Sequence, residues 1–144
     1  MPYNLSTLPR VRLIQPMTGA TLRIYVIDDD ESARTGLGRL LRSAGFQVKV
    51  FASAQEFLDH GPVENGDLII LDVRMPGING LELQKRLAAK GRKLPIIFIT
   101  GFEDPLARAE ALKSGAIAFL QKPVDEQTLL GAIDAASRRQ ANRN

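Results

Sequence analysis

The chain of 144 residues contains no cysteine and a single histidine, His60. The first absence removes disulfides, thiolate zinc sites, iron–sulfur clusters and cysteine nucleophiles together, and it fits a reducing compartment. The second removes a histidine-rich metal centre and any relay through several imidazoles of the chain itself. Long apolar runs are missing too, since no stretch approaches the roughly 20 residues that cross a bilayer. Near the N-terminus Pro9, Arg10, Arg12 and Pro16 interrupt any apolar region of the signal-peptide type. The expectation is a soluble, cytoplasmic protein with no membrane partner.

What remains is ordinary globular composition, 44% hydrophobic and 24% charged, in a length that suits one domain. The formal net charge is +3 and the pI about 9.5, a balance that taken alone points toward nucleic acid. Its distribution points elsewhere. Residues 23–136 hold 14 Lys and Arg against 16 Asp and Glu, while Arg10, Arg12, Arg138, Arg139 and Arg143 lie outside that stretch. The basic surplus belongs to the ends of the chain. No base-reading motif accompanies it, so direct nucleic-acid binding by this chain is not expected.

Residues 1–21 carry three Pro, two Arg and no acid, without sustained periodicity. They read as a poorly ordered N-terminal extension. From residue 22 the pattern is regular. Runs at 22–27, 46–51, 68–71, 96–99 and 116–120 read as strands. Helices are predicted at 31–44, from a Ser53–Glu56 capping box to Gly61-Pro62, at 79–89 with Asn79 as N-cap, at 103–114 and at 125–138. Leu81, Leu83, Leu87 and Ala88 supply the apolar residues of the third helix. A folded domain over 22–138 and a basic C-terminal tail over 139–144 complete the organisation. Strand and helix alternate five times with short links, which predicts an α/β fold with a five-stranded parallel sheet and helices on both faces. The continuous apolar runs LIIL and IIFI suit its central strands.

In such a fold ligands sit beyond the carboxyl ends of the strands. Those ends carry Asp28-Asp29-Asp30-Glu31, Asp72, Thr100 and Gln121-Lys122-Pro123 in turn. Each alone is unremarkable: an acidic run before a helix favours the helix dipole, and a lone Thr or Lys is commonly a turn or solvated residue. Their joint position at the ends of one sheet is the informative feature. With the first and third strands as neighbours, Asp28, Asp29 and Asp72 converge, and three carboxylates in one place call for a cation. Mg²⁺, with Mn²⁺ as a possible substitute, suits an all-oxygen site of this kind. Thr100 adds a hydroxyl and Lys122 a positive charge, which together describe a place for a phosphoryl group with Asp72 as nucleophile.

The stretches IYVIDDDESAR, LIILDVRMPGINGLEL, IIFITGFED and GAIAFLQKP resemble a response-regulator receiver domain of the CheY-like, flavodoxin-like fold, closest in pattern to receivers of the FixJ type. The resemblance spans residues 22–136 and implies strand order 2-1-3-4-5. It implies that Asp72 accepts a phosphoryl group from the phosphohistidine of a sensor histidine kinase or phosphotransfer protein. It further implies that Asp28, Asp29, Asp72 and the backbone carbonyl of Arg74 hold Mg²⁺. Thr100 and Lys122 would meet the phosphoryl oxygens, Phe119 would be the switch aromatic that tracks Thr100, and the Lys122–Pro123 bond would be cis. Asp30 and Glu31 match no ligand position. The protein would then be a phosphoacceptor that assists its own phosphotransfer and autodephosphorylation, not an enzyme with a separate substrate. Its remodelled surface of fourth helix, fifth strand and fifth helix would meet a downstream protein or a second copy.

Receivers of the FixJ type continue into a helix-turn-helix domain. The expectation is a stand-alone receiver acting by protein contact, with a receiver fragment of a longer DNA-binding regulator as the alternative. A rival reading takes Asp28-x-Asp30 as the nucleophile and acid of a haloacid-dehalogenase-like phosphatase, but it leaves Asp72 unexplained. Gly36 and Gly38 lie too far past the first strand for a phosphate loop, leaving helix softness or close packing as their role. Arg74 and Phe102, two residues after Asp72 and Thr100, are expected to tune rates. If Phe102 shields an acyl phosphate from water, Phe102→Glu speeds its decay. Equal decay of radiolabelled phosphoprotein in both forms would remove Phe102 from that role.

Overall fold

The computed structural model describes residues 22–60, 68–92 and 94–143. The extension at 1–21 and the helix stop at Gly61-Pro62 lie outside the described residues. Five strands, β1 (Arg23–Ile27), β2 (Gln47–Phe51), β3 (Leu68–Asp72), β4 (Ile96–Thr100) and β5 (Ala118–Gln121), alternate with five helices. The helices are α1 (Glu31–Ser43), α2 (Ala54–Asp59), α3 (Gly80–Ala89), α4 (Pro105–Lys113) and α5 (Glu126–Arg143). All pairings are parallel and the order is β2-β1-β3-β4-β5, as expected.

The sheet separates two apolar layers. Because strand side chains alternate between faces, Ile24, Val26, Leu68, Ile70, Ile97 and Ile99 pack toward α1 and α5. Ile27, Ile69, Leu71, Ile96 and Phe98 pack toward α2, α3 and α4. Every residue of β3 and β4 is buried, which explains why their sequences run apolar without alternation.

Local chemistry sets the helix ends. Asp30, Ser53, Asn79 and Asp104 each accept a hydrogen bond from a backbone N–H three residues on, at 2.9–3.0 Å, and so cap α1 to α4. Asp104 as cap and Pro105 at the first helical position start α4 later than predicted. Gly115, at φ 101°, ends that helix in a left-handed turn, and the Ala116 N–H still bonds the Ala111 carbonyl. The fifth strand therefore begins at Ala118 and not at 116. Residues 139–143 extend α5 instead of leaving it. They contain no Gly or Pro to stop it, and an Arg138–Asp134 pair at 2.9 Å braces the turn before them. On α3 the buried face is Leu83, Gln84 and Leu87, whereas Ala88 is exposed.

The fourth helix is thinly attached. Its buried residues are Ala107 and Ala111, while Leu106 is 84% exposed. Polar links supplement them: Arg74 to Asp104 at 3.2 Å, Lys85 to Glu110 at 2.8 Å, and the Gln84 amide to the Ala111 carbonyl at 3.2 Å.

The glycines of α1 resolve into two cases. Gly38 is buried with Val50 against it, whereas a Cβ on Gly36 would meet nothing within 4 Å. Gly80 is different again, since a Cβ there would strike the Asp72 carbonyl oxygen and press on Phe98. Gly36→Ala is therefore expected to stabilise by about 0.5–1 kcal/mol, and Gly80→Ala to destabilise by about 1–3 kcal/mol. Urea denaturation of the two variants checks both signs.

Candidate functional site

Register brings the acids together. Ile27 stands opposite Leu71 in the β1–β3 pair, so the next residues on the two strands, Asp28 and Asp72, leave the sheet side by side. Asp28 is wholly buried and Asp72 nearly so, and Asp29 stands exposed at the rim. Carboxylate oxygens of all three lie within 4.8 Å of one another.

Asp28 is fixed at several points. Its N–H donates to the Phe51 carbonyl at 3.1 Å, its Oδ1 accepts from the Asp30 N–H at 3.0 Å, and its carbonyl accepts from Arg34 Nη1 at 2.9 Å. Arg34 was not anticipated as part of this framework. It sits one turn above the Asp30 cap, and helical side chains lean toward the N-terminus, which is the signal that could have found it. Gly80 was also missed. Its lack of a side chain lets the start of α3 lie against the Asp72 backbone, with its N–H donated to the Val73 carbonyl at 2.9 Å.

Lys122 reaches in from the end of β5, 2.8 Å from Asp28 Oδ2 and 3.3 Å from Asp72 Oδ2. The peptide bond to Pro123 is cis, as expected. Burial pulls the Lys122 ammonium down, but Asp28 and Asp72 together outweigh it and hold it above its usual value. One ammonium does not neutralise the acids. Burial first, then contact with the Asp28 carboxyl and its charge, push Asp72 up to about 7 against a partial offset from Lys122. The one close donor to Asp28 Oδ2 among the described residues is the Lys122 ammonium, at 2.8 Å. A buried, under-satisfied oxygen within an all-carboxylate set fits a hard divalent cation.

The remaining expected residues take distinct places. Thr100 is buried, and its hydroxyl exchanges 3.3 Å hydrogen bonds with the backbone of Phe102, so it is engaged away from Asp72. Arg74 enters through its N–H, 3.3 Å from Asp72 Oδ1. Its guanidinium lies 5.0 Å from the centre of the Phe102 ring and pairs with Asp104. Phe102 is 60% exposed. Phe119 is half-buried beside Phe98, with the rings tilted and their centres 6.1 Å apart. Asp30 accepts the α1 cap bond from the Ala33 N–H at 2.9 Å through Oδ2. His60 is exposed and contacts Lys49 at 3.0 Å, away from the acids.

Residues 24–134 match the model of the response regulator receiver domain. Transcriptional regulatory protein TdiR of Thauera aromatica is 44% identical over 119 residues, 83% of this chain and 52% of that protein. Transcriptional regulatory protein FixJ of Bradyrhizobium diazoefficiens is 46% identical over 115 residues, 80% of this chain and 56% of that protein. Among solved structures, the response regulator StyR superposes with a TM-score of 0.79 at 47% identity, covering 86% of this chain and 63% of that one. FixJ-N gives 0.76 at 37% identity, covering 83% and 95%. The chain belongs to the receiver-domain family of two-component response regulators. It spans about half the length of the curated relatives it matches.

The charge balance has a measurable consequence. Asp72 holds its proton to about pH 7 in the folded state, whereas 3.8 is its ordinary value. Its contribution to stability is complete below about pH 4 and is lost as pH rises through about 7. Thermal melts in chelator are expected to show that decline, and Asp72→Asn to flatten it. Added Mg²⁺ restores the wild type more than the variant by binding the folded form. Parallel profiles for the two proteins would contradict this account.

Proposed function

We propose that Asp72 is the phosphoacceptor of this receiver and that Lys122 and Thr100 serve the transferred group. The observation that carries the reading is the convergence of Asp28, Asp29 and Asp72 within 4.8 Å, with Lys122 Nζ in contact with two of them. In the transfer an Asp72 carboxylate oxygen attacks phosphorus in line with the phosphohistidine N–P bond. The O–P bond forms as the N–P bond breaks, and the electron pair leaves with the imidazole of the donor. The ammonium of Lys122 is placed to meet charge on the phosphoryl oxygens. The hydroxyl of Thr100 reaches those oxygens by giving up its bonds to Phe102.

Asp28, Asp29, Asp72 and the carbonyl of Arg74 would hold Mg²⁺, or Mn²⁺ in its place. When bound there, the cation offsets repulsion between the carboxylates and the incoming phosphoryl group. The donor is a sensor histidine kinase or a phosphotransfer protein, and the reaction is a cytoplasmic one. Phosphorylation adds roughly −1.5 to −2 charge at this point. Withdrawal of Thr100 frees space for Phe119, and the surface of α4, β5 and α5 changes for a downstream protein or a second copy. A second reading has specific support. The matched relatives are named as transcriptional regulators and are about twice as long as the match, so this receiver would be the input half of a DNA-binding regulator.

Asp72→Asn is expected to abolish Mg²⁺-dependent labelling by acetyl phosphate, detected as acid-stable, base-labile phosphate on the protein. Labelling that survived in Asp72→Asn and vanished in Asp28→Asn would return the haloacid-dehalogenase reading.

A further inference from the structure

Four polar residues are buried among those described, and three of them, Asp28, Asp72 and Thr100, belong to the acidic site. The fourth, Gln84, does not. Its Nε2 donates to the Ala111 carbonyl at 3.2 Å, and its Oε1 is left without a donor. Gln84 forms part of the wall of a cavity of about 340 Å³, bounded also by residues at the amino ends of β4 and β5 and in α5. Asp72 and Thr100 stand at the opposite, carboxyl ends of their strands. The cavity is therefore a separate place, and its chemistry is independent of the role given to Asp72.

That chemistry is lopsided. Leu87, Leu94, Ile96, Ile117 and Ala136 give it apolar walls, Arg92 and Arg139 supply its charge, and no acid lines it among the described residues. Arg74, Arg86 and Arg138 each hold a carboxylate. Neither Arg92 nor Arg139 has a side-chain partner among the described residues, although Arg92 is half-buried. Arg139 is exposed, so both guanidinium groups can be reached from solvent, and a guanidinium that lacks a counter-charge beside apolar walls is met best by an anion. The planar fork of arginine matches a carboxylate, two hydrogen bonds at a time. The volume lies at the small end of the range for ligand pockets.

We infer that this cavity binds a small amphipathic carboxylate, its apolar body against Leu87, Leu94, Ile96 and Ile117 and its head on Arg92 and Arg139. Such an occupant touches α3, the turn after α4, and α5 at once. It would fix the spacing of the helices that flank the fourth, and so act on the changing surface from the end of the sheet remote from Asp72.

The test is an amide NMR titration of the full chain with phenylpropionate, run beside phenylpropanol and inorganic phosphate. The carboxylate is expected to give saturable shifts at Ile96, Gly115, Ile117 and Ala136. Arg92→Gln lowers its affinity roughly tenfold, the scale of a charge-assisted bond, and leaves the weaker response to the alcohol unchanged. Phosphate alone leaves the apolar wall unmoved. The proposal is overturned if phenylpropionate fails to saturate in the millimolar range, if Arg92→Gln binds it equally well, or if phosphate reproduces its shifts. Arg139→Gln gives the same comparison should Arg92→Gln lose the native spectrum.

Discussion

Three carboxylates share a space that one ammonium cannot neutralise, and the organisation of this end of the molecule stems from that imbalance. The acids converge because β1 and β3 are adjacent and in register, with Asp28 and Asp72 the next residues beyond a matched pair. Like charges so placed repel, and burial deepens the penalty. The core fixes the positions of the strand ends, since β3 and β4 are buried along their whole length. Backbone bonds to Asp28 hold the arrangement from the other side. The outcome is a rigid pocket of negative potential, favourable to a divalent cation and to chemistry that needs one.

Much of this was readable from the order of residues, because the fold obeys simple periodicities. Continuous apolar runs marked the covered strands, Ser53 and Asn79 marked two helix starts, and the acids, Thr100 and Lys122 stood at successive strand ends. The errors have local causes. Pro105 preceded by Asp104 is a helix start, and reading it as such would have moved α4 by two residues. Gly115 consumes the next two residues in a turn, which delayed β5. Gln84 was invisible because a polar residue on the apolar stripe of a helix carries no periodic signal. Arg34 and Gly80 escaped for another reason: each acts on the backbone of an acid from a different element, a relation that exists only once the chain is folded.

The molecule has two chemically different ends. At the carboxyl ends of the strands negative charge exceeds positive and a lysine is drawn inward. At the amino ends of β4 and β5 two arginines lack counter-charges among the described residues, beside an apolar hollow. The same strands connect the two, and α4 runs between them, its first turn linked to Arg74 beside Asp72 and its last to Gln84. Both ends therefore bear on one helix.

That helix rests on the methyl groups of Ala107 and Ala111, with its bulkier apolar residues turned outward. Two smooth contact points do not interlock with the layer beneath, unlike the knobs that Phe98 or Leu83 present elsewhere. A shift or rotation of α4 empties no large hole and drives no large side chain through its neighbours, so the cavity cost that locks core helices in place is nearly absent. Resistance to movement comes instead from a few surface ion pairs and one amide, each weak in water. Alanine at these two positions leaves α4 with little interlocking packing to hold it in one place.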